Sequence, residues 1–245
     1  MTSVDTGSFP ETQDIATSSD DYASRFSGPV GRWMLSVQAG LVLSMLQRSG
    51  AKSVLDVGGG HGQLAIPLAD AGYDVTVVGS DPSCSKRIQE YVDSGKVRFI
   101  VGNVIDLPCI DGAYDAVVSV RLLPHCERWP ELISEFCRAS SKCVIVDYPA
   151  KHGFNAIAPL FFGAKKKLEK NTRTWRDFTN AEVRDEFAKN GFELSVRKGQ
   201  FFLPMVLHRA LKTKPASVVL EAPFKCLGLT RLWGSPVIAE FRPGS

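Results

Sequence analysis

Val54–Ile66 has the sequence VLDVGGGHGQLAI, in which a hydrophobic strand runs through a glycine turn into the start of a helix. A strand, a glycine turn and a helix N-terminus together form a place where a nucleoside-containing cofactor can lie. The stretch therefore predicts an α/β fold with a cofactor site at this turn. The alternative is a turn that only closes a connection between a strand and a helix, because a glycine motif alone is a weak signal.

The spacing of the glycines distinguishes this turn from a dinucleotide-binding turn. The dinucleotide fingerprint is G-x-G-x-x-G, with its acidic residue about 20 residues later and no acid needed before the first glycine. Here Asp56 precedes Gly58 by two residues, and the pattern is D-x-G-x-G-x-G. A carboxylate at the tip of the strand would repel a pyrophosphate but attract an ammonium group. The pattern therefore favours S-adenosylmethionine, which carries an amino group and a sulfonium, over NAD.

The strand and turn resemble motif I of the class I S-adenosylmethionine-dependent methyltransferases. Residues of about 50–148 resemble the ubiquinone/menaquinone C-methyltransferase-like branch (methyltransferase type 11), in which Gly-Asp, Leu-Pro and Phe-Asp precede the fourth strand. Here Gly102-Asn103, Leu107-Pro108 and Tyr114-Asp115 stand at those places. The resemblance implies an α/β, Rossmann-like fold. We expect a seven-stranded, mostly parallel sheet with an antiparallel last strand, helices on both faces and a small helical cap.

The resemblance also implies a set of cofactor-binding residues. Asp56 would hold the methionine amino group, and Asp81, at the tip of the second strand, would accept the ribose hydroxyls. An Asp at that place can instead cap the following helix. Asn103 stands where the family usually has an acid, and its amide oxygen can still accept a hydrogen bond from adenine. The complete predicted set is Asp56, Gly58, Gly59, Gly60, Gly62, Asp81, Pro82, Asn103, Val104 and Arg121.

Composition suggests how the chain is divided. Residues 1–21 are rich in Ser, Thr and Asp, with no basic cap or apolar core, and we expect a disordered tail that is neither a signal peptide nor an anchor. Residues 22–245 would form a single methyltransferase domain. Its segment 22–48 would be a lid, and about 151–175 would be an inserted substrate cap. Tyr22 is a candidate lid residue, although a buried aromatic is the alternative.

Aromatic runs and charge indicate the acceptor side of the site. Residues 1–150 carry 12 basic and 18 acidic side chains, whereas 151–214 carry 14 and 6. A basic segment can attract an anionic substrate, a membrane surface or nucleic acid, and it can also be a solvated face. We expect a small hydrophobic or amphipathic acceptor, contacted by Tyr22, Phe161, Phe162, Phe201 and Phe202.

Catalytic and metal-binding signals are sparse. His125, in Leu123-Pro124-His125 after the fourth strand, is a candidate general base, or else a structural residue at a helix start. The six cysteines show no C-x-x-C pair and no zinc spacing, so we expect reduced thiols, no metal and a cytoplasmic location.

The sequence thus predicts in-line methyl transfer from S-adenosylmethionine to a small molecule, in which the protein mostly positions the reactants. The alternatives are an RNA or DNA methyltransferase, which is less favoured because no recognition domain is evident, and a non-catalytic S-adenosylmethionine-binding module. Neither the acceptor atom nor the oligomeric state follows from the sequence.

Overall fold

A mixed sheet lies at the centre of the computed structural model, which describes residues 9–151 and 175–244. Within these residues seven strands form one sheet. They are β1 Ser53–Val57, β2 Asp74–Gly79, β3 Val97–Val101, β4 Tyr114–Ser119, β5 Ser140–Tyr148, β6 Phe192–Gly199 and β7 Val237–Pro243.

The strand order is β3-β2-β1-β4-β5-β7-β6. Strands β1 to β5 pair in parallel, and β7 is inserted between β5 and β6, antiparallel to both. The expected seven-stranded, mostly parallel sheet with an antiparallel last strand is confirmed. Parallel pairing places the carboxyl ends of β1, β2, β4 and β5 at one edge, which is where such folds bind ligands.

The helices cover both faces of the sheet, as expected. They are α1 Gln13–Thr17, α2 Asp20–Ser24, α3 Gly28–Ser49, α4 Ala65–Asp70, α5 Gln89–Asp93, α6 Trp129–Ala139, α7 Asn180–Lys189, α8 Met205–Leu211, α9 Lys214–Cys226 and α10 Leu229–Trp233.

Two hydrophobic clusters fill the space between sheet and helices. The side chains of a strand alternate between the two faces, so Val54 joins one cluster and Leu55 the other. The first cluster includes Leu46 of α3 with Ala65 and Leu68 of α4, and the second includes Phe136 of α6 and Phe187 of α7. None of the described helices is long and apolar enough to cross a membrane.

The helix after the glycine turn contains a proline. Helix α4 begins at Ala65, so Pro67 lies in its first turn. The backbone N–H groups of a first turn have no partner within the helix, and a proline there removes no helical hydrogen bond.

The expectation that residues 1–21 form a disordered tail is wrong for residues 9–21. This segment contains α1 and the start of α2, and Glu11, Asp14 and Thr17 are buried. Two of its polar side chains are buried as acceptors of backbone N–H groups, one at the tip of β2 and one at the start of α6. The Ser80 N–H donates to Asp14 Oδ2 at 2.6 Å, and the Arg128 N–H donates to Glu11 Oε1 at 2.8 Å.

Candidate functional site

The glycine turn between β1 and α4 leaves little space around its backbone. Gly58 and Gly62 have positive φ of 75° and 76°, which favours glycine. A Cβ at Gly59 would collide with the Asp56 carboxylate, and one at Gly60 would collide with the Cys84 carbonyl oxygen. The turn therefore requires glycine for its conformation and for the close approach of neighbouring groups.

Asp56, at the end of β1, is a buried carboxylate directly over this turn. The backbone N–H of Ala65 donates to the carboxylate, while Oδ2 has no hydrogen-bond partner among the described residues. Burial raises the pKa of Asp56 to about 7, against the opposing effects of the Ala65 N–H and the Arg121 charge. A buried acceptor without a donor is costly, which makes Asp56 a ready site for an ammonium group.

Asp81, after the tip of β2, was predicted to accept the ribose hydroxyls, but in the structure it has a local backbone partner. Asp81 is partly buried, and its Oδ1 accepts the Ser83 N–H at 2.8 Å, so it caps the short 3₁₀ helix Pro82–Ser85. The side chain of Ser83 and then its backbone N–H lower the pKa of Asp81. The neighbouring Ser80 is held by Asp14 of α1 instead. The capping alternative is therefore observed, and the ribose contact stays a prediction.

Asn103, after β3, also has a local partner. Its Oδ1 accepts the Ile105 N–H at 3.2 Å, and Val104 beside it is fully buried. The amide oxygen keeps a second lone pair, so a contact with adenine stays a prediction.

Arg121, directly after β4, has an unusual backbone and a buried head group. Its φ is 62°, rare for a residue with a side chain, and its N–H donates to Asp147 Oδ1 at 2.6 Å. The guanidinium lies over the rings of Phe26, at 4.1 Å, and Tyr22, at 5.5 Å. Burial lowers the pKa of Arg121, and the neighbouring Tyr22 and Asp147 oppose this effect. The backbone hydrogen bond and the ring contacts of the side chain both hold this residue in place.

Asp147 and Gln38 belong to the site but were not among the predicted residues. Asp147 ends β5 and is 2% exposed, and Gln38 of α3 donates through Nε2 to Asp147 Oδ2 at 3.3 Å. Burial raises the pKa of Asp147 to about 6, although the Arg121 N–H and charge oppose the rise. A carboxylate at the tip of a parallel strand is a signal that could have identified Asp147, but nothing local indicates Gln38.

Arg121, Asp147 and Gln38 border a cavity of about 490 Å³ at the carboxyl edge of the sheet, whereas Asp56, the glycine turn, Asp81 and Asn103 do not line it. Its wall combines aromatic and aliphatic side chains with three arginines, a carboxylate and a histidine. The lining residues are Tyr22, Arg25, Phe26, Met34, Leu35, Gln38, Arg121, Pro124, His125, Asp147, Pro149, Trp175, Gln200, Met205, Arg209 and Pro236. The arrangement suits a ligand with an apolar body and an anionic group.

Two predicted contact residues line this cavity. His125 is 5% exposed in the 3₁₀ helix Leu123–His125, and its ring meets Trp175 edge-on with centroids 5.2 Å apart. Tyr22 of α2 is also a wall residue, and its ring lies edge-on to that of His61. Burial lowers the pKa of His61 to about 3, so this imidazole is neutral.

Phe201 and Phe202, two of the predicted acceptor contacts, do not line this cavity. Phe201 is buried against Val30 and Met34 of α3, and Phe202 stacks on Phe224 of α9 at 4.2 Å. Gln200 lines the cavity in their place. The chain turns after β6, and both rings pack against helices rather than in the cavity wall. Phe161 and Phe162 lie outside the described residues.

The geometry fits the methionine end of S-adenosylmethionine more clearly than its adenosine end. The Asp56 Oδ2 atom, which has no hydrogen-bond partner among the described residues, suits an ammonium group. On the adenosine side, Asp14 of α1 packs against Gly58 and already accepts the Ser80 N–H. Among residues 9–151 and 175–244, no group of three or more His, Cys, Asp and Glu side chains could hold a metal ion.

The chain is similar in sequence to known methyltransferases. Residues 54–142 match a family described as a methyltransferase domain. The chain is 29% identical over 149 residues to magnesium-protoporphyrin O-methyltransferase of Synechocystis sp., which covers 58% of this chain and 63% of that protein. It is 27% identical over 165 residues to ubiquinone biosynthesis O-methyltransferase of Azorhizobium caulinodans, which covers 62% and 63%. The chain thus spans less than two thirds of either relative.

The fold also matches a solved structure. Magnesium protoporphyrin IX methyltransferase of Synechocystis, determined with bound S-adenosylhomocysteine, superposes with a TM-score of 0.66 at 18% identity. The match covers 95% of this chain and 97% of that one. The likeness is one of fold, and it extends well beyond the residues matched by the family.

Proposed function

We propose that the chain, whose residues 54–142 match a methyltransferase domain, is a class I enzyme that transfers the methyl group of S-adenosylmethionine to a small, hydrophobic or amphipathic acceptor by in-line displacement. The observation that carries the proposal is the buried Asp56 Oδ2, without a partner among the described residues, above a glycine turn that admits no side chain at Gly59 or Gly60. An ammonium group is the ligand that such an oxygen lacks.

The proposed cofactor contacts follow the carboxyl edge of the sheet. Asp56 would accept the ammonium, and the glycine turn would border the cofactor backbone. Asp81 with Pro82 would face the ribose, and Asn103 with Val104 the adenine. When bound, S-adenosylmethionine supplies a methyl group on a positively charged sulfur that a well-aligned nucleophile can displace. The role of the protein is then to exclude water and hold the acceptor in line.

The cavity supports an acceptor with an apolar body and an anionic group. Arg25 and Arg209 line it together with the rings of Tyr22, Phe26 and Trp175. The two curated relatives are named as O-methyltransferases, for magnesium-protoporphyrin and for ubiquinone biosynthesis. We therefore propose an oxygen acceptor on a molecule of this general kind.

Methyl transfer to a hydroxyl oxygen releases a proton, and His125 is the proposed base that takes it. Its ring lies in the cavity wall near Trp175. Asp147 is the proposed positioning residue, because its two oxygens already accept the Arg121 N–H and the Gln38 amide. It would fix the left-handed backbone at Arg121, which borders the place of methyl transfer.

Titration calorimetry with S-adenosylhomocysteine and with NAD tests the cofactor assignment. We expect binding of the first and none of the second. The Asp56→Asn variant, which keeps the size but loses the charge, should bind at least about tenfold more weakly, since a charged hydrogen bond contributes about 1.5–3 kcal/mol. The exposed carboxylate variant Asp93→Asn is the matched control. Tight binding of NAD alone, or unchanged affinity in Asp56→Asn, would contradict the proposal.

Affinity should also depend on pH in a defined direction. Because the pKa of Asp56 is about 7, the carboxyl is protonated below that value and must lose its proton to pair with the ammonium. Affinity for S-adenosylhomocysteine should therefore rise from pH 5.5 to about 7 and then level off. In Asp56→Asn this part of the pH dependence should disappear.

The oxidation state of the cysteines indicates the cellular compartment of the protein. All six cysteines are free thiols, which agrees with a reducing compartment, and we propose a cytoplasmic location.

We propose small-molecule acceptors rather than nucleic acid. Incubation with radiolabelled S-adenosylmethionine and either RNA or a pool of phenolic and carboxylic acids would separate the two, since label in RNA would contradict this choice. Label in neither would favour a binding module.

A further inference from the structure

Helix α9 has its polar side inward. Its buried side chains are Ser217 and Glu221, whereas Val219, about half a turn away from Ser217, is 71% exposed. A surface helix ordinarily buries its apolar stripe and exposes its polar one. In α9 this arrangement is reversed, so that apolar side chains are exposed to water and are not covered by the described part of the fold.

Three hydrogen bonds fix this orientation. The Glu221 carboxylate accepts the N–H groups of Phe202 at 3.1 Å and Leu203 at 2.8 Å, and it contacts His208 Nε2 at 2.9 Å. Phe224, on the same side as Glu221, stacks on Phe202. Rolling α9 to bury Val219 would break these contacts and expose Phe224, so the apolar residues are held outward.

The exposed side chains of α9 and α10 form what we call the α9–α10 apolar face. Its members are Val218, Val219, Leu220, Leu227, Leu232 and Trp233, each at least 38% exposed. The two helices pack on each other through the turn at Gly228, whose φ is 74°.

The charge around this face has one sign. Exposed cations flank it, namely Lys212, Lys214, Lys225 and Arg231. Glu221 is the single acidic residue between positions 205 and 233, and it is buried. The face therefore combines apolar side chains and positive charge, with no exposed carboxylate.

We propose that the α9–α10 apolar face docks on an anionic membrane surface. Leucine, valine and tryptophan side chains would enter the headgroup region, where tryptophan is favoured, while the four cations would face anionic lipid. A face recognising a protein would be expected to include some acidic or neutral polar groups in its rim. The preceding helix α8 supplies Met205 and Arg209 to the cavity wall, so docking would bring the cavity close to a lipid phase.

Flotation of the full chain with lipid vesicles tests the docking directly. We expect the protein to float with vesicles of phosphatidylglycerol and phosphatidylcholine, and to float weakly with phosphatidylcholine alone. Raising the salt concentration should release it, because exposed charges are screened. The measurement uses neither cofactor nor acceptor, so its outcome is independent of the proposed methyl transfer.

Two pairs of variants separate the apolar and the charged contributions. Val219→Glu with Leu227→Glu should lower the vesicle partition coefficient at least about tenfold, and Lys214→Glu with Lys225→Glu should do so too, since each cation contributes about fivefold. Ile110→Glu is the control for the first pair, because Ile110 is 80% exposed on a loop outside this face. Lys96→Glu is the control for the second. Circular dichroism checks that each variant folds.

Several outcomes would overturn the proposal. Wild-type protein that does not float with anionic vesicles would do so, as would an equal loss in Ile110→Glu and in the Val219/Leu227 pair. Sedimentation equilibrium gives a third outcome. A wild-type dimer that becomes monomeric in Val219→Glu with Leu227→Glu, without vesicle binding, would assign the face to a second copy of the chain.

Discussion

At the residue scale, Asp56 shows how a functional group can weaken the fold that carries it. It is 1% exposed, and its Oδ2 has no donor among the described residues. A buried carboxyl in this setting keeps its proton, and for this reason its pKa is raised from 3.8 to about 7. Binding sites often hold such groups, and replacing them commonly raises stability while lowering function.

We expect Asp56→Asn to stabilise the protein in a pH-dependent way. Between pH 3.8 and about 7 the folded wild type holds a proton that the unfolded chain has lost, so its stability falls as the pH rises through this window. The asparagine does not titrate. The free energy of unfolding of the variant should therefore exceed that of the wild type by about 1–3 kcal/mol above pH 7, and by less at pH 4.5.

Urea denaturation without added cofactor measures this difference at several pH values. Asp93→Asn, an exposed carboxylate on α5, serves as the control and should show no such trend. A constant difference across the pH range would mean that Asp56 is ionised in the folded protein.

His125 carries the catalytic prediction. His125→Gln keeps a hydrogen-bonding side chain of similar length but cannot take a proton near neutral pH. We expect kcat to fall by about 100-fold or more, as is typical for loss of a general base, with little change in KM. The affinity for S-adenosylhomocysteine should not change. A variant with full kcat would give His125 a structural role.

At the element scale, the short helix α1 depends on single side chains. Asp14 is fully buried, and the backbone N–H and the hydroxyl of Ser80 both donate to it. A five-residue helix is not stable by itself, so tertiary contacts must hold it. The exposed ion pairs of Asp20 with Lys86 and Arg87 add little, because exposed pairs contribute about 0–1 kcal/mol.

Asp14→Ala should therefore release α1 from the sheet edge. We expect amide hydrogen exchange of residues 11–24 to become at least about tenfold faster, while exchange in β1, β4 and β5 stays the same. Asp20→Ala is the comparison and should change exchange in this segment by less than about fivefold, because only exposed pairs are lost. Equal effects of the two variants would show that Asp14 is not the anchor.

At the scale of the whole molecule, the sheet joins two hydrophobic clusters. Leu46 of α3 and Phe187 of α7 are fully buried on opposite faces, and Phe187 stacks on Phe241 of β7 with centroids 3.7 Å apart. Because the same strands contribute to both clusters, loss of one face should unfold the other. This supports the proposal that residues 22–245 form a single domain.

Leu46→Ala and Phe187→Ala test this cooperativity. We expect losses of about 2–5 and about 3–5 kcal/mol respectively, from lost burial and the cavities left behind. Each variant should show one thermal transition at a lower Tm, as a single two-state domain would. Two separate transitions in either variant would show that the faces unfold independently.

The sequence by itself determined the sheet and the glycine turn at its centre. Strands such as β2 and β3 follow from short apolar runs, and Asp56 follows from its spacing to Gly58 and Gly62. These signals lie within a few residues of one another, where backbone sterics and side-chain alternation act. The burial of residues 9–21 could not be read in the same way, since their polar composition is typical of a tail.

Only the tertiary structure decided what surrounds the cavity. Gln38 and Asp147 are 109 positions apart, and Asp14 and Ser80 are 66 apart, yet each pair is joined by a hydrogen bond. The direction of Phe201, away from the cavity, likewise depends on α3 packing nearby. Such contacts form where elements that are far apart in the sequence meet at the edge of the sheet. The local sequence pattern around each residue therefore cannot predict them.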